Sequence, residues 1–163
     1  MYIAENEATL KAVLAAYDLP ETPVGVVRYG SGHINDTYCV VCQPKEGKAI
    51  RFILQGLSVA AFPRQDELME NFIGVTSHLR RKIEAAGGDV MRETLNLVPT
   101  REGKPYYTDS TGKVWRLTNY VEKTVCLQKA TPDLFEASAR AFGRFQWLLA
   151  DYPAETLHES IVN

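Results

Sequence analysis

The spacing of apolar positions predicts three helices in this chain. Apolar residues recur at intervals of three and four, the period of one helix face, over residues 6–17, 66–86 and 132–150. Asp66 is the candidate N-cap of the long middle helix, and a glycine pair beyond its far end supplies a stop signal. The last helix carries a broad apolar face, so we expect it to pack against another element.

Short runs rich in β-branched and aromatic residues predict strands between these helices. The first three runs are joined by tight turns containing glycine or proline, which favours an antiparallel meander. The order is helix, three strands, long helix, three strands, helix, and it predicts an α+β fold. The six predicted strands cover residues 24–29, 37–43, 49–54, 94–99, 105–108 and 113–121.

Length and charge narrow the functional classes. The 163 residues fit one domain, or one domain with an appendage, and the net charge of −2 provides no general cationic field for nucleic acid or an anionic membrane. No apolar run approaches the roughly 20 residues of a membrane helix. The first ten residues lack the basic and then apolar order of a secretory signal. We therefore expect a soluble cytoplasmic protein without a nucleic-acid or membrane partner.

The cysteines do not predict a metal or redox site. Cys39 and Cys42 form a C-x-x-C pair, but they lie in a predicted strand, where side chains three positions apart point to opposite faces. A tetrahedral site needs further ligands, and neither Cys126 nor the three scattered histidines has ligand spacing. We interpret all three cysteines as structural or idle thiols.

A glycine-rich turn, Gly-Ser-Gly-His-Ile-Asn-Asp at residues 30–36, follows the first predicted strand. Such a turn can present backbone N–H groups to an anion, because no side chain blocks the concavity. It lacks the lysine of a Walker loop and the strand-to-helix context of a dinucleotide fingerprint. From the residues alone, a plain hairpin turn and a ligand-binding loop both remain open.

The context of this turn resembles the small lobe of a protein kinase, in which the turn between the first two strands covers nucleotide phosphates. The chain resembles the aminoglycoside-phosphotransferase-like kinases. Within that family, it is most similar to the N-acetylhexosamine 1-kinase type. The resemblance covers nearly the whole chain in order. It is carried by YGSGHINDTY (29–38), FILQ (52–55), DELMEN (66–71), WRLTNYVE (115–122), AFGRF (141–145) and LHESIVN (157–163).

The resemblance implies a protein-kinase-like small lobe over residues 1–122: an antiparallel sheet of five or six strands with one long packed helix. Residues 123–163 would then be the hinge and the first helical segment of a truncated large lobe. ATP and Mg²⁺ are the implied cofactors. The implied nucleotide-binding residues are Gly30, Ser31 and Gly32 in the phosphate loop, His33, Asn35 and Asp36 shaping it, Glu70 on the long helix, and Tyr120, Val121 and Glu122 in the hinge.

Two departures from the family pattern bear on function. The family places a basic residue on the third strand, just after the Phe-Ile-Leu-Gln run, where this chain has Gly56. Phosphoryl transfer also needs an acid that positions the acceptor hydroxyl and oxygen ligands for Mg²⁺. After residue 122 the chain has only Asp133 and Asp151, outside the family's motifs, so we expect no catalytic or metal-binding residues.

Two functions remain open from the sequence. The first is a truncated small-lobe portion of an ATP-dependent sugar kinase, a phosphotransferase of the N-acetylhexosamine type, inactive alone. The alternative is a non-catalytic kinase-like module that binds nucleotide or protein. We expect a homodimer or a separate large-lobe chain as partner, because the 132–150 helix carries aromatic residues on more than one face: Phe135, Phe142, Phe145 and Trp147.

Overall fold

The fold is α+β, as the sequence predicts, with one antiparallel sheet of five strands. A computed structural model describes residues 7–125, 127 and 129–159. The helices are α1 (Glu7–Ala15), α2 (Gln65–Ala85), α3 (Val90–Glu93) and α4 (Pro132–Leu148), and a 3₁₀ turn covers Ala154–Thr156. The strands are β1 (Pro23–Arg28), β2 (Asp36–Cys42), β3 (Ile50–Gly56), β4 (Tyr107–Thr108) and β5 (Val114–Asn119).

The strands lie in the order β1-β2-β3-β5-β4, and every neighbouring pair is antiparallel. The predicted meander of β1, β2 and β3 is therefore confirmed. The chain then leaves the sheet to form α2 and α3 before it returns with β4 and β5. This order makes β3 the central strand, so its side chains occupy the middle of both faces.

The fourth of the six predicted strands, residues 94–99, does not form. This segment runs beside β5 but makes a single bridge, between Leu97 and Thr118. The side chain of Asn96 donates to the carbonyls of Val90 and Thr94 and holds the chain in a local turn. Pro99 has no N–H to extend a ladder. The β-branched composition was thus outweighed by one amide side chain and one proline.

The start of the middle helix also differs from the prediction. The N-cap position of α2 is Arg64, and Asp66 lies inside the first turn. A short helix, α3, was not predicted at all. Its N-cap is Asp89, whose carboxylate accepts from the backbone N–H of Met91 at 2.9 Å. The helix is only one turn long, too short to show an apolar period.

The two faces of the sheet are covered differently. On one side, called the α1 face, Phe52 and Leu54 of β3 are buried in a core with Leu10, Tyr17 and Trp115. This core is sealed by a hydrogen bond between distant parts of the chain: the Tyr17 hydroxyl donates to the carbonyl of Trp115 at 2.6 Å. Burial raises the pKa of Tyr17 well above its ordinary value, so this hydroxyl stays protonated and remains a donor.

The opposite side, called the α2 face, carries the side chains of Arg51, Ile53 and Gln55 from β3. The N-terminal half of α2 packs at its edge, where Met69 contacts Leu57 and Val114. Gln65 fixes this contact: its amide donates to the carbonyl of Leu57 at 3.0 Å and accepts from the N–H of Val114 at 2.8 Å. Because these groups are buried, α2 is held to the strand ends by satisfied polar contacts as well as by packing.

Helix α4 touches the rest of the molecule mainly through its C-terminal end. Leu148 is buried with Leu79 and Ile83 of α2. Phe135, Phe142 and Trp147 are 71%, 71% and 72% exposed, respectively. Within the part of the chain that the structure describes, no helix is both long enough and apolar enough to cross a membrane.

The Tyr17–Trp115 hydrogen bond yields a stability prediction. Tyr17→Phe leaves the buried Trp115 carbonyl without its partner, so the free energy of unfolding should fall by about 1–3 kcal/mol. Urea denaturation at neutral pH measures the change. Tyr106→Phe is the matched control: its ring is half-buried and its hydroxyl bonds to no described side chain, and it should change stability by less than about 0.5 kcal/mol. Equal losses in both variants would contradict the assignment.

Candidate functional site

The register of the central strands places three rows of side chains on the α2 face. Thr37, Gln55 and Arg116 form one row, and Cys39, Ile53 and Thr118 form the next. Tyr120 follows beside Arg51, whose carbonyl accepts from its N–H at 3.2 Å. The first row lies next to the glycine-rich turn and α2. The last row leads into residues 120–122, so the predicted loop and the predicted hinge lie at opposite ends of one surface.

The glycine-rich turn connects β1 and β2 and is exposed throughout residues 30–33. It is closed by the N–H of Tyr29, which donates to the carbonyl of Thr37 at 2.9 Å. Gly30 has φ +77, in the left-handed region that glycine adopts without strain. No atom beyond the adjoining residues lies within 4 Å of a Cβ built on Gly30 or Gly32, so the space where a side chain would stand is open at both positions.

Asn35 and Asp36 support the turn through contacts of their own. The Asn35 side chain accepts from the N–H of Ser58 at 3.0 Å and ties the turn to the chain after β3. Asp36 accepts from Arg28 at 2.8 Å and from Lys113 at 2.5 Å. Desolvation alone would raise the pKa of Asp36, but these two hydrogen bonds outweigh it and hold the pKa below its usual value. Both residues thus tie the turn to neighbouring segments, and the Asp36 charge is already paired with two cations.

Gly56 lies opposite Asp36 in the register, on the α1 face. A Cβ at this position would come within 2.8 Å of both the Lys113 side chain and the indole of Trp115. A basic residue here would therefore have to displace a buried ring, and it would point away from α2. Restoring the family's cation at position 56 would disturb the core and would not simply add charge beside the turn.

The predicted hinge residues contact Tyr29, which follows β1, and Arg51 of β3. The hydroxyls of Tyr120 and Tyr29 lie 2.9 Å apart, and the two rings meet edge to face with centroids 5.7 Å apart. The Arg51 guanidinium lies 4.0 Å from the centre of the Tyr120 ring and forms a bidentate ion pair with Glu122. The hydrogen bond from Arg51 lowers the pKa of Glu122. The half-buried Val121 offers its carbonyl to the Thr124 hydroxyl at 3.0 Å.

Glu70 does not reach the sheet. Its side chain is 67% exposed, and its carboxylate lies 2.7 Å from the imidazole of His158. The neighbouring Asn71 holds the same segment by donating to the His158 carbonyl at 2.8 Å and accepting from its N–H at 2.9 Å. In this structure Glu70 therefore holds the C-terminal segment against α2 and orients no residue on β3.

Arg116 is the principal feature of this surface that the sequence analysis missed. Its half-buried guanidinium lies 4.2 Å from the centre of the Phe72 ring of α2 and donates twice to the Gln55 side chain, at 2.9 and 3.1 Å. Desolvation lowers the pKa of Arg116 to about 10. A charged residue alternating with apolar ones in a predicted strand was the available signal.

Metal-binding side chains do not cluster in the part of the chain that the structure describes. Among residues 7–125, 127 and 129–159, no group of three or more histidine, cysteine or acidic side chains could hold a metal ion. These residues therefore provide no all-protein cage for Mg²⁺, the ion that the resemblance implies. No protein-family model matches the chain.

The contact between the two tyrosines predicts a titration. The hydrogen bond to Tyr120 raises the pKa of Tyr29 above the ordinary value of about 10, because the neutral hydroxyl is stabilised by its partner. In Tyr120→Phe this pKa should fall back towards 10, as followed by NMR of ¹³Cζ-labelled tyrosine. Tyr152→Phe, which changes a ring beside His78, should leave the Tyr29 titration unchanged. An unaltered Tyr29 pKa in Tyr120→Phe would show that the two hydroxyls are not bonded.

Proposed function

We propose that residues 1–122 are the nucleotide-binding small lobe of an ATP-dependent sugar kinase of the N-acetylhexosamine type, acting in the cytoplasm. The adenine base would lie beside Tyr120, Val121 and Glu122, and the phosphates would lie under the Gly30–Gly32 turn. In this proposal the chain binds nucleotide but transfers no phosphoryl group by itself.

The observation that supports this proposal is the shared surface of the turn and the hinge segment. Tyr29 immediately precedes the turn, and its hydroxyl meets that of Tyr120 at the start of the hinge. The N-terminal half of α2 packs at the edge of the same face. A kinase small lobe needs these three parts around one nucleotide. The open space around Gly30 and Gly32 leaves room for phosphate oxygens.

The proposed absence of transfer rests on the two aspartates that follow the predicted hinge. Asp151 accepts from Lys82 and faces His78, so it belongs to the contact between the C-terminal segment and α2. Asp133 lies in the first turn of α4. The described contacts of Asp151 are with α2, and phosphoryl transfer depends on acids and metal ions placed at the reacting phosphate.

The exposed side of α4 favours the second candidate, a kinase-like module that binds protein. We propose a second copy of the chain as the partner, with a separate large-lobe chain as the other outcome.

Replacing the exposed Phe142 by Glu should convert a dimer to a monomer in light scattering at micromolar concentration, whereas Arg140→Glu on the same helix should not. A wild-type monomer would leave only the large-lobe chain as the expected partner.

Alanine substitutions at two matched glycines test nucleotide binding. Gly30 and Gly47 both occupy exposed turns with positive φ and open space, at +77 and +102. Gly30→Ala and Gly47→Ala should therefore destabilise the fold to a similar degree, by about 1 kcal/mol. Only Gly30→Ala should lower the affinity for a non-hydrolysable ATP analogue, as measured by titration calorimetry. The expected loss is roughly two- to tenfold, for one impaired hydrogen bond.

Two results would contradict the proposal. One is wild-type protein that gives no binding heat with the analogue at millimolar concentration. The other is an equal loss of affinity in Gly30→Ala and Gly47→Ala, which would trace the effect to general destabilisation.

A further inference from the structure

Arg116 lies where the sheet, α2 and the glycine-rich turn converge. In the register it follows Thr37 and Gln55 across the sheet, and the carbonyl of Thr37 closes the turn by accepting from Tyr29. Its side chain extends over the α2 face to the ring of Phe72. One row of side chains thus runs from the base of the turn to a guanidinium held against α2.

The charge of Arg116 has no counter-charge within the part of the chain that the structure describes. Both of its hydrogen bonds among the described residues go to the neutral amide oxygen of Gln55, and its guanidinium lies against the aromatic ring of Phe72. Removing a cation from water without an ion-pair partner is costly. The lowered pKa has desolvation as its cause, with no raising contribution from a carboxylate.

The guanidinium retains donors for a ligand. Gln55 occupies the Nε side and one N–H of Nη2, so the remaining N–H groups of this planar fork are left for other acceptors. Phosphate oxygens match the fork in a bidentate arrangement. Gln55 is itself oriented, because its amide nitrogen donates to the Thr37 hydroxyl at 3.3 Å. The fork is therefore held in one orientation by neutral groups that do not compete with an anion for its charge.

The other cations close to this end of the sheet, Arg28 and Lys113, cannot take that role. Arg28 pairs with Asp36 at 2.8 Å and lies opposite Tyr38 on the α1 face. Lys113 pairs with Asp36 at 2.5 Å, lies 5.0 Å from the Trp115 ring and belongs to the α1 face. Its charge is thus committed on the opposite side from α2. Arg116 is the cation on the α2 side of this row whose charge remains uncommitted among the described residues.

We propose that Arg116 is an anion-binding residue that receives a phosphate group on the α2 face, from β5, in place of the absent cation at position 56. The assignment of that phosphate to a nucleotide rests on the proposed function. The distance along the strand is consistent with it: Arg116 and Tyr120 are four residues apart, roughly 13 Å in an extended strand. A nucleoside diphosphate or triphosphate spans a comparable distance between its base and its outer phosphates.

The test measures pyrophosphate binding by titration calorimetry, with Arg116→Met as the variant. Because this variant loses a charge-assisted contact, its affinity for pyrophosphate should fall by roughly ten- to a hundredfold. Arg116→Lys keeps the charge without the planar fork, so its pyrophosphate affinity should lie between those of wild type and Arg116→Met. The matched control is Arg81→Met, which removes an exposed guanidinium of α2 and should leave the affinity unchanged. Arg116→Met affinity equal to wild type, or no binding by wild type, would overturn the proposal.

A second measurement avoids relying on the variant's folding. The Nε–H resonance of Arg116 in wild-type protein should shift as pyrophosphate is added, and a merely structural guanidinium would not show that shift. Comparison of ADP with pyrophosphate separates this inference from the proposed function. If pyrophosphate binding depends on Arg116 but ADP binds no more tightly than pyrophosphate, the anion site stands and the nucleotide assignment falls. ADP binding that is indifferent to Arg116→Met would sink the anion site alone.

Discussion

The alternation of side chains along β3 is the constraint on which the rest of this structure depends. Phe52 and Leu54 must face α1 because they fill the main core, and Gln55 is then obliged to face the other way. The antiparallel register carries this choice to both neighbouring strands, since Gln55 lies between Thr37 and Arg116. A polar row on the α2 face is therefore a by-product of burying the apolar set, and no separate structural device is needed to create it.

Elements with a long or sharply bounded pattern could be predicted from the sequence. The meander, α2 and α4 have clear turn signals or many repeats of the helical period. The segment at 94–99 could not be resolved in this way, because its pairing was decided by hydrogen bonds of Asn96 and by Pro99. The single turn of α3 depends on the cap at Asp89, which has no periodic signature.

The candidate site was only partly accessible from the sequence. The turn and the hinge segment were found through motifs, but their shared surface follows from strand order. Glu70 was expected to serve β3, and its partner is instead His158 from a segment 88 residues later. Arg116 was overlooked because one-dimensional spacing gives the face of a strand without showing whether a charge there meets a counter-charge. Such information exists only once Gln55 and Phe72 are placed beside it.

The contact between Tyr29 and Tyr120 has a consequence for how this surface would acquire a planar ligand. The two rings contact each other edge to face, so a base bound beside residues 120–122, as the proposed function places it, would have to separate them first. The tyrosine pair is then an internal competitor, and the apparent affinity becomes the intrinsic affinity scaled by the fraction of molecules with the rings apart. Under the proposed function, selectivity would follow from the same equilibrium, because a base beside residues 120–122 would meet the tyrosine pair, whereas a small anion at Arg116, four residues along the chain from Tyr120, would not.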